Sequence, residues 1–301
     1  MERYNRLNDY LKNKFGERTL KICIDGGFTC PNRDGSKGIG GCTFCSEKGS
    51  GEHLHSFETI SMQVQDYFKS YKACRANKFI AYFQNFTNTY DSLENLKVKY
   101  DSALIDDRIV ALAVATRPDC INENVVKLLK SYSGKYYVWV ELGLQTANEK
   151  TGQLINRCYS NDDFSKAVQL LNEYGIDVVT HVMVGLPGES FDYIKKTVVF
   201  LNKHDIQGLK IHSCYVVNGS SLALQYLKGD YVPITLDEYI NSACYILTHI
   251  SPNIVIHRIS GDAPKDLLLA PEWNSHKKWI MNGINKKLND ENLYQGMYYS
   301  K

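Results

Sequence analysis

The feature that most constrains the fold of this chain is an alternation. Short runs rich in β-branched and aromatic residues lie at 20–24, 79–83, 109–115, 136–142, 176–184 and 209–212. Between and after them come amphipathic stretches at about 60–75, 92–104, 122–132, 162–174, 191–203 and 236–250. This rhythm predicts a parallel sheet with helices outside it, because the intervening segments are too long and too helical to be hairpin turns. Ser92, Asn122 and Asn161 are expected to cap their helices, and residues 254–259 are a candidate late strand. No Pro/Gly/Ser-rich linker, repeat or low-complexity tract divides the 301 residues, so one domain is expected. It reads as an N-terminal extension over 1–19, a core over 20–235 and a C-terminal extension over 236–301 packed on that core.

The polar and glycine-rich clusters refine this. They fall at 25–51, 84–90, 116–119, 141–146, 185–189 and 212–219, so every strand carries one at its carboxyl end. A site at the switch point of an open sheet draws on two or three loops, whereas a barrel draws on all of them. The expected architecture is therefore an α/β, single-domain partial (βα)6 TIM-type barrel of parallel strands with N- and C-terminal extensions. A composition 44% hydrophobic and 23% charged supplies its core. The best apolar runs, 109–115 and 176–186, are far short of the roughly 18 residues of a membrane span, and Asp177, Thr180 and His181 interrupt the second. No membrane association is expected, and a start without an apolar signal segment predicts a cytoplasmic, reducing location.

Nine cysteines in such a compartment point to metal or thiol chemistry rather than disulfides. Cys30, Cys42 and Cys45 fall within sixteen residues, in a glycine-rich loop after the first strand. Thiolates are soft ligands for zinc or iron–sulfur centres, and glycines let backbone wrap closely around either. Zinc would need a fourth ligand, which His53 or His55 could supply in a structural binding module. Structural fingers usually present two close pairs, however, and here Cys30 stands alone, eleven residues ahead of the Cys-x-x-Cys pair. Three thiolates on a four-iron cluster would leave one iron open for chemistry.

The stretch Asp25-Gly-Gly-Phe-Thr-Cys-Pro-Asn-Arg-Asp-Gly followed by Gly41-Cys-Thr-Phe-Cys resembles the cluster loop of radical S-adenosylmethionine (SAM) enzymes. The branch it resembles is that of the Elongator catalytic subunit, close to the small bacterial YhcC/YtqA group, over about residues 20–279. The resemblance implies a [4Fe–4S] cluster on Cys30, Cys42 and Cys45. It further implies reductive cleavage of SAM to a 5′-deoxyadenosyl radical, driven by an external electron donor of flavodoxin or ferredoxin type. Phe44 would lie near the adenine, and Thr87 and Asn88 stand where the superfamily binds the methionine amino group.

Thr116-Arg117-Pro118-Asp119 resembles a Thr-Arg-Pro-Asp segment of the same branch, and Arg117 could pair with a carboxylate or phosphate. Glu141 and Gln145 match a strand-four segment that serves the SAM ribose. Arg157, in Asn156-Arg157-Cys158-Tyr159, would meet the SAM carboxylate. His181 and Met183 belong to a His-x-Met-x-Gly-Leu-Pro-Gly segment, with a satisfied core histidine as the alternative for His181. Cys214, after strand six, is a candidate hydrogen-atom donor.

The same branch acts on the wobble uridine of tRNA, so tRNA is the implied substrate; a small molecule or a protein is the alternative. Without an acetyltransferase extension, acetyl transfer is not expected. A net charge of +2 gives no mandate for nucleic acid, but six basic residues against three acidic in 1–21, and five against two in 275–301, suggest phosphate contacts. Arg3, Arg6, Lys12, Lys14 and Arg18 would then join Lys277, Lys278, Lys286 and Lys287 beside the barrel mouth.

Overall fold

A computed structural model describes residues 2–49, 51, 54, 58–261 and 263–300. The six expected strands form as β1 (Thr19–Ile24), β2 (Lys78–Phe83), β3 (Ile109–Thr116), β4 (Tyr137–Gln145), β5 (Asp177–Val184) and β6 (Gly208–Ser213). Two short strands also form, β7 (Val216–Val217) and β9 (Leu268–Ala270), with β8 (Val255–Arg258) between them in the chain. The main sheet runs β1-β2-β3-β4-β5-β6-β8, all parallel, and curls into a half-barrel; β7 and β9 pair antiparallel beside it. The candidate late strand thus becomes the seventh stave. Among the described residues of 236–301, β8 alone joins the main sheet, pairing parallel with β6.

Among the described residues the helices are α1 (Leu7–Phe15), α2 (Ile60–Lys69), α3 (Leu93–Ala103), α4 (Glu123–Tyr132), α5 (Glu149–Leu154), α6 (Asn161–Glu173), α7 (Phe191–Leu201), α8 (Ser221–Lys228), α9 (Leu236–His249) and α10 (Lys277–Asp290). Ser92 and Asn122 cap α3 and α4 as expected. The cap of α6 is Ser160 rather than Asn161, and it forms a reciprocal capping box with Asp163.

Side chains alternate across each strand, so one set faces the helices and the other the barrel interior. Ile22, Phe83, Leu112, Val114, Val140, Leu142, Val178, Leu209 and Ile211 pack outward against Val64, Leu96, Leu129, Phe164, Val198 and Leu247. The inner set is smaller and more polar. On β3 it is Ala111, Ala113 and Ala115, three methyl groups that leave space inside the barrel.

Helix α1 closes the amino-terminal end of that interior. Leu11 is buried against Ile80, Ala111 and Trp139, and Arg6 bridges to Ile256 beside β8. The basic residues of the N-terminal segment therefore lie at the foot of the barrel, opposite the mouth, correcting the expectation for Arg3, Arg6, Lys12, Lys14 and Arg18. Helix α10 packs on α9 in the outer ring, and Lys286 and Lys287 pair with Asp290 and Glu291 one turn on. No helix among the described residues is long and apolar enough to cross a membrane.

Candidate active site

The loop between β1 and α2 wraps around Asn32, which is wholly buried. The Asn32 amide donates to Asn156 O and lies 3.7 Å from Cys42 Sγ. Glycine is required at two points of this wrap. A Cβ at Gly38 would stand 2.1 Å from Asn32 Oδ1, and Gly41 adopts φ +80° with Arg33 2.9 Å from its missing Cβ. Asn156 fastens the loop from the other side by donating to Gly41 O (2.8 Å) and Ile39 O (3.2 Å), and Thr43 N donates to Ile155 O (3.0 Å).

So held, Cys30, Cys42 and Cys45 are free thiols that share one wall of a cavity of about 1420 Å³ at the carboxyl ends of the strands. A hydrogen bond from Cys42 pulls the Cys45 thiol below its ordinary range, with the Arg33 guanidinium helping, and pushes Cys42 correspondingly up. Arg117 spans both oxygens of Asp119 at 2.9 Å, donates to Arg157 O (3.1 Å), and brings Nη1 to 4.0 Å from Cys30 Sγ. Its burial would lower its pKa, but the Asp119 pair more than offsets this and the guanidinium stays charged.

Deeper in the barrel the inner faces of five strands, β1, β2, β4, β5 and β6, meet at Glu141, whose side chain has no exposed surface. Oε1 accepts from Lys21 Nζ (3.2 Å) and Trp139 Nε1 (3.1 Å). Oε2 accepts from Tyr82 OH (2.8 Å) and Lys210 Nζ and meets His181 Nε2 at 2.9 Å. Burial alone would raise the carboxyl pKa; Lys21, Lys210 and His181 outweigh it and hold it well below the usual range. Burial pulls His181 down to about 4 and His212 well below its ordinary value, so both rings are neutral at pH 7.

Of the residues singled out in the sequence, Cys30, Cys42, Cys45, Phe44, Thr87, Thr116, Arg117, Glu141, Gln145 and His181 line this one cavity. The Thr87 hydroxyl is buried and has no hydrogen-bond partner among the described residues. Thr116 OH lies 2.6 Å from Thr89 OH, which donates onward to Cys120 O. Gln145 sits at φ +60°, a rare conformation for a residue with a side chain, and accepts from Tyr159 OH at 2.6 Å.

Four residues are placed elsewhere. Arg157 is wholly buried and every N–H group points at protein: Tyr159 O (3.0 Å), Leu144 O (2.8 Å), Thr146 O (2.8 Å), Glu149 Oε2 (3.0 Å) and Asn161 Oδ1 (3.1 Å). It clamps the β4–α6 connection and has no donor left for a ligand. Asn88 spends its amide nitrogen on Phe83 O, Asn85 O and Ala115 O, stapling β2 to β3. Met183 packs behind Phe44 in an apolar cluster with Ile155, Leu186 and Val216. Cys214 is in the same cluster, fully buried, with its thiol pushed up to about 12 by burial, and does not reach the cavity.

Sequence reading missed Lys21, Tyr82, Lys210 and His212, all on the cavity wall. The signal was present: Lys21 between Leu20 and Ile22, and Lys210 between Leu209 and Ile211, are charges at inward positions of buried strands. The proposed zinc ligands His53 and His55 lie outside the described residues.

A parallel half-barrel with three free thiols on the loop after its first strand is the arrangement of a radical SAM enzyme. The chain belongs to the Radical SAM superfamily, which it matches over residues 30–201, with the Radical_SAM C-terminal domain following over 206–290. Along its whole length it is similar to YtqA of Bacillus subtilis, 39% identical over 308 residues that cover 100% of this chain and 94% of YtqA. A tRNA uridine(34) acetyltransferase of Methanocaldococcus infernus is 31% identical over 166 residues, 54% of this chain and 30% of that protein. Among solved structures, an archaeal Elp3 of Methanocaldococcus infernus with an N-terminal deletion has the same fold. Its TM-score is 0.70 at 19% identity, over 92% of this chain and 64% of that one.

Enzymes of this superfamily use a [4Fe–4S] cluster and SAM, and this chain is such an enzyme, which sets the zinc module aside. The site suits both groups. Its thiols are free, with the Asn32 amide and the Arg117 guanidinium beside two of the sulfurs. The unpartnered Thr87 hydroxyl awaits a polar group. The cavity exceeds the roughly 300–1,000 Å³ of an ordinary small-molecule site, leaving room for a second molecule beside SAM.

Proposed function

We propose that this enzyme modifies the wobble-uridine side chain of a tRNA. The observation that carries the reading is the 31% identity, over more than half of this chain, to a protein named for tRNA uridine 34. The charge of the cavity supports it: among the described residues, eight basic against five acidic side chains line it, which favours a polyanion.

In this reading Cys30, Cys42 and Cys45 would hold the cluster. When bound, cluster and SAM would supply radical chemistry toward the substrate, given an electron from a flavodoxin- or ferredoxin-type donor. The protein's own work is placement and exclusion. Arg117 and Asn32 steady the charge on Cys30 and Cys42. Thr87, Thr116 and Gln145 offer hydrogen-bonding groups to SAM, and Phe44 covers the adenine with its ring. Glu141 and His181 fix the floor beneath, since the carboxylate already has a full set of protein donors.

Adding unmodified tRNA to reconstituted enzyme, SAM and reductant tests this. Turnover should depend on tRNA and yield an altered nucleoside at the wobble position; SAM consumption indifferent to tRNA, with unchanged nucleosides, would refute it.

A further inference from the structure

We propose that the inner chamber of the barrel, below the cysteine wall, binds an anionic group of the substrate through Lys21 and His212. The inference deepens the reading above, in that the group belongs to the molecule being modified, but it stands on different observations.

Lys21 and Lys210 share the single carboxylate of Glu141, which can match only one of them when both are protonated; burial pulls Lys210 down to about 7, and Lys21 is the cation that faces the cavity. Lys210 spends two of its three donors on Tyr82 OH and Glu141. Lys21 spends one, on Glu141, and its side chain keeps 21% of its surface, open to the cavity. Its other two N–H groups meet the faces of Tyr82 (4.5 Å) and Trp139 (5.6 Å) but no acceptor among the described residues. Across the chamber His212 Nε2 is buried at the cavity wall with no hydrogen-bond partner among the described residues, its ring 5.2 Å from that of His181.

A half-buried cation with N–H groups short of an acceptor is relieved by an anion that accepts from it, and the ring nitrogen of His212 across the chamber offers that anion a second contact. The low affinity of Lys210 and His212 for protons has the same origin: burial first, with neighbouring cations adding to it. Position assigns the anion to substrate rather than to SAM. Lys21 and Lys210 sit midway along β1 and β6, whereas the first sulfur lies six residues beyond the end of β1. A carboxylate or a phosphate would satisfy this chemistry.

Reductive methylation of reconstituted holoenzyme with formaldehyde and dimethylamine–borane as hydride donor, quantified residue by residue by mass spectrometry, tests the proposal without a variant that might misfold. Acetate and inorganic phosphate serve as anionic probes, acetamide as the neutral isostere and sodium chloride as the ionic-strength control. One of the two anions should slow modification of Lys21 saturably, by roughly tenfold at about ten times its dissociation constant, while exposed Lys150 reacts unchanged. Protection by acetate alone assigns a carboxylate, and by phosphate alone a phosphate. Equal reactivity of Lys21 in all four solutions overturns the proposal, even where tRNA is modified. Saturable protection with no action on tRNA keeps the anion site and removes the tRNA reading.

Discussion

Replacing Arg157 separates a structural clamp from a ligand contact. In Arg157→Met the side chain keeps much of its length but loses five N–H donors. Leu144 O and Thr146 O, both bonded at 2.8 Å to the buried guanidinium, lose that partner. The Glu149 side chain, 50% exposed, is re-solvated by water and contributes little to the loss. Orphaned buried acceptors cost about 1–3 kcal/mol each, so the two carbonyls together account for about 3–5 kcal/mol. With an unfolding entropy near 2.1 cal/mol/K per residue, this lowers the melting temperature by about 5–8 °C. Arg157→Lys, with the charge but a different donor geometry, should recover part of that loss. Anaerobic thermal unfolding and SAM titration of the same cluster-loaded samples measure both quantities. A melting temperature unchanged within about 1 °C, combined with a ten- to hundredfold loss of SAM affinity of the size one charged hydrogen bond gives, would refute the clamp and return Arg157 to the ligand.

Three further outcomes are expected. Cys30→Ala, Cys42→Ala and Cys45→Ala should each lose the reconstituted four-iron centre and SAM cleavage, read from iron content and visible absorption; a full cluster in any of them removes that sulfur from the ligand set. Stability should fall as pH drops from about 6.5 toward 4, because His181 titrates near 4 when folded and near 6.5 when unfolded, so the unfolded chain takes up the proton first. The contribution is up to about 3 kcal/mol. Since Glu189, raised to about 7 by burial, acts oppositely over the same range, the difference between wild type and His181→Asn isolates it; parallel curves would contradict the neutral ring. Cys214→Ala should lower stability modestly yet keep turnover within about twofold, as expected of a small buried hydrophobe, and a loss of turnover at full stability would reinstate it as a hydrogen-atom donor.

The strands and most helices were legible because their signals are local: period-two burial, a 3.6-residue stripe, and capping residues such as Ser92 and Asn122. The cysteine loop was legible because its three thiols are close in sequence. The Glu141 network was not, since its partners Lys21 and Lys210 lie 120 and 69 residues away and meet only when the sheet curls. Arg157 misled because most of its acceptors are backbone carbonyls, which leave no mark on sequence. Cys214 shares the inward parity of His212, but β6 ends at Ser213 and the chain turns, carrying the thiol into the apolar cluster. The terminal lysines and arginines were read by charge alone; the packing of α1 under the barrel and of α10 outside it decides where they sit.

The central claim, a tRNA wobble uridine as substrate, is tested most directly by nucleoside mass spectrometry of total tRNA from a strain lacking this gene. A wobble-uridine derivative should be lost and its precursor accumulate, with restoration by the wild-type chain and not by Cys42→Ala. Identical nucleoside profiles in the deletion and parent strains would contradict the claim.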